Sequence, residues 1–77
     1  MLQIWEYNDA AGVRRKGVMR GFTDRGGTDV TYRFNRLDEN GNPIVYANGG
    51  HEVDLVSGHA LKSAKRVGAM PVPSGYK

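Results

Sequence analysis

The chain has 77 residues, no cysteine, eleven lysines and arginines against eight acidic side chains, and a formal net charge of +3. That length makes one domain with a thin core, and the lack of cysteine excludes disulfide staples and thiolate metal centres. No apolar run approaches the roughly 20 residues of a membrane helix.

The start, Met1-Leu-Gln-Ile-Trp-Glu6, lacks the charged-then-apolar plan of a signal peptide, and there is no Asn-x-Ser/Thr acceptor; a cytoplasmic protein is the expectation. Residues 1–68 read as one small β-barrel domain and residues 69–77 as a Pro-containing tail. In that tail Met70, Val72 and Tyr76 are expected to pack on the barrel or on a neighbouring chain.

The first predicted strand covers residues 2–7, with Leu2 and Ile4 on one face and Trp5 and Tyr7 on the other. Residues 8–12 form a hairpin connection in which Gly12 takes the left-handed position. The second strand covers residues 13–23. Simple alternation there would put Arg14, Lys16, Val18, Arg20 and Phe22 on one face. A bulge near Gly17 is therefore expected to send Val18 and Phe22 inward, with Arg20 unaccounted for.

After a glycine-rich turn, Asp24-Arg-Gly-Gly-Thr28, the third strand covers residues 29–37. Val30, Tyr32 and Phe34 share one face, and Thr31, Arg33 and Asn35 the other. Such period-two alternation marks a strand with one buried face. Asn40-Gly41 predicts a type I′ hairpin. A short fourth strand follows over residues 44–47 and a fifth over 51–56, with Val53 and Leu55 inward and Glu52 and Asp54 outward. The expected core is Val18, Phe22, Val30, Tyr32, Phe34, Val53 and Leu55.

Residues 57–67 allow two readings. Ser57 as N-cap, a Leu61/Ala64/Val67 stripe and Gly68 as C-cap favour a short helix or helical turn over residues 57–65. The alternative is a one-turn 3₁₀ element followed by a last short strand over residues 63–67. Short curved antiparallel strands ending in Val53-Asp-Leu-Val56, a turn and a terminal segment over 61–67 resemble an SH3-like small barrel. The resemblance covers residues 13–67 and implies a mainly β, five-stranded antiparallel architecture with a C-terminal helical turn. An OB-like barrel is the competing closure, and both manage exposed strand edges in a chain this small.

No motif for catalysis stands out. Asp38-x-Asn40-x-Asn42 opens like a calcium loop, but Pro43 and Gly49 stand where glycine and glutamate are needed, so a hairpin is the better reading. His51 and His59 are too few for a metal centre. The chain is accordingly read as a non-enzymatic module without metal or cofactor.

Charge distribution carries the functional reading. Residues 1–12 carry −2, 13–36 carry +5, 37–61 carry −4 and 62–77 carry +4. Seven of the eleven cations lie between Arg14 and Arg36. Arg14, Arg15, Lys16, Arg20, Arg25, Arg33 and Arg36 are the candidate nucleic-acid-binding residues, on the expectation that they line one side of a hairpin and contact phosphates. Glu6, Asp24 and Asp29 could instead neutralise arginines within the fold. Two other readings stand beside a nucleic-acid or nucleoprotein partner. One is an accessory or inhibitor protein of a phage or mobile element docking on a host protein machine; the other is a structural subunit of a symmetric homo-oligomer.

Overall fold

The computed structural model describes residues 1–24 and 30–72. Five antiparallel strands form one sheet: β1 (Leu2–Asn8), β2 (Arg14–Asp24), β3 (Val30–Arg36), β4 (Val53–Ser57) and β5 (Lys65–Met70). Their order is β4-β3-β2-β1-β5. Strands β1 to β4 are thus a meander, and β5 returns beside β1 after a single 3₁₀ turn, Ala60–Ser63. The fold is mainly β and has the partly rolled form of a small barrel. No ladder joins β4 to β5, so the sheet stays open. No helix among the described residues is long and apolar enough to cross a membrane.

The tight connections share one chemical plan. Asp9 N–H donates to Val13 O, Gly12 N–H donates back to Asp9 O, and the Asp9 carboxylate accepts the N–H groups of Ala11 and Val13 at 2.9 Å each. Asp38 repeats this with Gly41 and with the N–H groups of Asn40 and Asn42. Tyr46 and Gly49 make the same backbone pair of bonds. In each turn a glycine at φ 80° to 86° takes the left-handed corner, the conformation a three-residue hairpin with a glycine bulge requires.

This corrects the expected type I′ turn at Asn40-Gly41. That turn needs positive φ at both residues, and Asn40 does not have it. The Asp38 carboxylate, capturing two downstream amides, holds the alternative. The same two bonds account for the aspartate of the calcium-like pattern as a turn-former.

Further corrections concern the strands. Residues 44–47 are not a strand; this segment makes only the isolated bridges Leu37–Pro43 and Val45–His51. The fifth strand is instead β5, and of the two readings of residues 57–67 the 3₁₀ turn followed by a last strand is the one found, with the turn at Ala60–Ser63. Ala69 and Met70, assigned to the tail, pair with Gln3 and Leu2. Val72 beyond them is exposed, and Tyr76 lies outside the described residues. Finally, the bulge in β2 falls between Met19 and Gly21 rather than at Gly17. Arg20 is the extra residue, which explains why no single alternation fits both halves of β2.

Tyr7, Phe34 and Val56 form the core, with Trp5, Met19, Tyr32, Leu61 and Ala64 packed against them. Tyr7 and Phe34 stack with ring centroids 4.5 Å apart. On the reverse face of the sheet Val18 and Leu37 are also buried, as is Asn35, which alternation had assigned to water. The expected core is thus correct for Phe34 and, half-buried, Val30 and Tyr32, while Val18 is buried on the opposite face. It is wrong for Phe22, Val53 and Leu55, which are exposed. In β4 the parity is inverted: Asp54 and Val56 face in.

Candidate nucleic-acid interface

Alternation along a strand separates the candidate cations instead of gathering them. Cross-strand partners share a face, and the register pairs Tyr7 with Arg15, and Gly17 with Arg36. Arg15 and Arg36 therefore lie on the Tyr7 face. Arg14 and Lys16, of opposite parity in β2, lie on the reverse face, as does Arg33 in β3. The expectation that Arg14, Arg15, Lys16, Arg33 and Arg36 line one side of a hairpin is corrected accordingly. Arg25 lies outside the described residues.

Arg36 is held inside a polar network. Its Nε donates to Asp54 Oδ2 at 2.9 Å and its Nη2 to Asp54 Oδ1 at 2.6 Å, a bidentate pair. The Tyr7 hydroxyl donates to the same Asp54 Oδ2 at 2.6 Å. Asp9 extends the network, 3.7 Å from the Arg36 Nη2 and 2.9 Å from the Arg15 Nε. Five side chains from β1, β2, β3, β4 and the first hairpin thus satisfy one another, as buried charges must.

The protonation equilibria follow this geometry. Burial, with the bond to Asp54, pushes the Tyr7 hydroxyl far above its ordinary value. Burial alone would raise Asp54, but the hydrogen bonds from Arg36 and Tyr7 and the Arg36 charge outweigh it and hold the carboxyl below its usual range. The Arg15 hydrogen bond and the Val13 amide hold Asp9 low. The Asp54 bond raises Arg36 further. Arg15 and Arg36 are therefore committed to the fold through Asp9 and Asp54, acids that sequence reasoning did not pair with them.

The remaining cations face outward. Arg14 is exposed, with Nε 3.4 Å from Glu6 Oε1 and Nη1 donating to Asn8 Oδ1 and, at 3.1 Å, to the Ser63 carbonyl oxygen. Lys16 is exposed and makes no ion pair with a described residue. The register then adds a cation the sequence reading missed: Glu6 stands between Lys16 on β2 and Lys65 on β5. Lys65, Glu6 and Lys16 form one cross-strand row, with Arg14 beside it, so three cations surround a single carboxylate. The net charge of +4 over residues 62–77 was the available signal, hidden by the helical reading of residues 57–65. Arg20 occupies the bulge, half-buried, and Arg33 lies across the sheet beside Leu55. Trp5 and Tyr32 pack against the core and so offer no stacking surface beside these cations.

No protein-family model matches the chain, and neither the curated proteins nor the solved structures include a match.

Proposed function

We propose that this protein is a small binding module that engages the phosphate backbone of a nucleic acid through Arg14, Lys16 and Lys65. The observation that supports this is the Lys16–Glu6–Lys65 row. Strands lie about 4.8 Å apart, so its two lysines are about 10 Å apart across three strands. Each lysine stands opposite Glu6 as an opposite-charge pair, and that one glutamate offsets only one of three cations. The row runs straight across three strands. It has no helix N-terminus or nest of amides converging on one phosphate, which suits an extended polyanion better than a single small anion. Recognition through phosphates alone fixes position without reading sequence.

The test is a fluorescence-anisotropy titration with labelled single-stranded and double-stranded DNA and RNA at several salt concentrations. Binding by the wild-type chain that weakens steeply with salt, and loss of that binding in Lys16→Ala/Lys65→Ala, are the expected results. Absence of binding to all these polymers at low salt refutes the reading.

A further inference from the structure

The two edges of the sheet are protected to different degrees. At β5 the edge carries Lys65 and Arg66, a register shift where it meets β1, and Pro71 directly after its end. These are the devices that discourage a further strand from adding. At β4 there is no register shift and no proline, and its one charge, Asp54, faces inward and is satisfied by Arg36 and Tyr7.

Gly58 N–H donates to Val30 O at 2.7 Å and Arg36 N–H to Glu52 O at 2.9 Å. Hydrogen-bonded pairs alternate along an antiparallel ladder, so Asp54 and Val56 turn their backbone groups toward β3. Val53, Leu55 and Ser57 turn theirs to the outer edge, where no strand among the described residues pairs with them. None of the three is charged or a proline.

Beside this edge lies a groove of about 430 Å³ lined by Gly21, Phe22, Thr23, Thr31, Arg33 and Leu55; Arg33 and Leu55 stand on the reverse face, whereas Phe22, paired with Tyr32, sets its ring against Tyr32 on the other. Phe22 and Leu55 are 66% and 64% exposed. Gly21 leaves open space where a side chain would stand. The row Gly21–Arg33–Leu55 runs straight across β2, β3 and β4 to the open edge. Arg33 is exposed in that row and makes no ion pair with a described residue.

Charge decides between occupants. A second copy pairing through its own β4 would bring Val53, Leu55 and Ser57 again. Its only anion there, Asp54, points inward and is already bonded to Arg36 and Tyr7. Such a dimer would leave both Arg33 side chains without counter-charge. An extended segment carrying apolar and acidic side chains at alternate positions supplies what the groove lacks. Its main chain completes the ladder, its apolar groups cover Leu55, and its carboxylate on the same face reaches Arg33.

We propose that the β4 edge is a docking site for an extended, acidic, alternating segment of a partner protein, added as a sixth strand. This site is separate from the Lys16–Lys65 row and does not depend on the nucleic-acid reading.

The probe is the labelled peptide acetyl-Thr-Val-Thr-Glu-Thr-Val-Thr-amide, with a control in which lysine replaces glutamate. Binding is followed by anisotropy and by amide hydrogen exchange on the full chain. The glutamate peptide is expected to bind about tenfold more tightly than the lysine peptide, the scale of one charge-assisted hydrogen bond. It should also protect the amides of Val53, Leu55 and Ser57. Leu55→Lys should abolish binding, Arg33→Glu should reverse the preference between peptides, and Lys16→Ala/Lys65→Ala should leave it unchanged. Equal binding of both peptides, no binding, or protection elsewhere overturns the proposal. Protection of the same three amides by self-association without peptide overturns it in favour of a dimer. Should Leu55→Lys fail to fold, the Arg33→Glu preference still decides.

Discussion

The Tyr7 hydroxyl donates a 2.6 Å hydrogen bond to Asp54, 47 residues further along the chain, and fastens β1 to β4 across the core. Gly17 lies against that bond: a Cβ there would meet the hydroxyl at 2.5 Å, with Tyr7 Cε2 and the Asn35 carbonyl oxygen at 3.0 Å. Gly17→Ala should therefore destabilise the fold by about 1–3 kcal/mol. Tyr7→Phe should cost a similar amount by leaving Asp54 one bond short. The two losses should not add, because removing the hydroxyl relieves the closest clash. Denaturant unfolding of both single variants and the double variant checks this coupling.

The Arg36–Asp54 pair predicts a larger effect. Removing one partner strands a buried charge, so Arg36→Ala should cost about 3–5 kcal/mol, enough to unfold a domain of this size. Chemical denaturation, or failure to obtain folded protein, is the readout. By contrast Arg14→Ala, at an exposed pair, should change stability by less than about 1 kcal/mol.

Stability should fall at both ends of the pH scale, for opposite reasons. Asp54 and Asp9 are held below their ordinary 3.8 in the folded chain. Their contribution is complete above that value and is lost as the pH falls below it, through the folded values. Tyr7 is raised above its ordinary 10.0. Its contribution is complete below pH 10 and is lost as the pH rises further, since only the unfolded chain then ionises readily. Thermal melts across pH should show both declines, and Tyr7→Phe should remove most of the alkaline one.

The inverted parity of β4 gives a direct comparison between neighbours. Val56 is buried at 3% exposure and Leu55 is 64% exposed. Val56→Ala should cost roughly 2 kcal/mol, while Leu55→Ala should stay within about 0.5 kcal/mol. A reversal of that order would restore the sequence-based assignment.

What was legible in the chain depended on whether one face of a strand was apolar without competition. In β3, Tyr32 and Phe34 alternate with polar neighbours, and their face is the core face. The first three strands and their antiparallel direction could be read by the same means, and the corner at Gly12 from its turn chemistry. In β4, Val53-Asp-Leu-Val-Ser57 offers two apolar side chains on one face and one on the other. Counting them chooses the wrong face. Asp54 faces inward because Arg36 and Tyr7 satisfy it there, and neither partner is visible from the strand itself. Strand β5 was legible only as the second reading of residues 63–67, because Lys65-Arg-Val-Gly68 has little strand character and pairing with β1 makes it one. The cationic surface was divided by alternation, a rule available from sequence but overridden in the reading by the adjacency of Arg14, Arg15 and Lys16.

The most direct test of the proposed function is the salt dependence of nucleic-acid affinity in two sets of variants. Each phosphate neutralised releases counterions, so log affinity falls linearly with log salt. Arg14→Ala/Lys16→Ala/Lys65→Ala should weaken binding to every sequence and flatten the slope by up to about three units, one per lost contact. Arg33→Ala, on the same face but beside Leu55 toward the β4 edge, should leave the slope unchanged. A wild-type chain that binds no DNA or RNA at low salt, or a slope that responds to Arg33 and not to Lys16 and Lys65, would contradict the account.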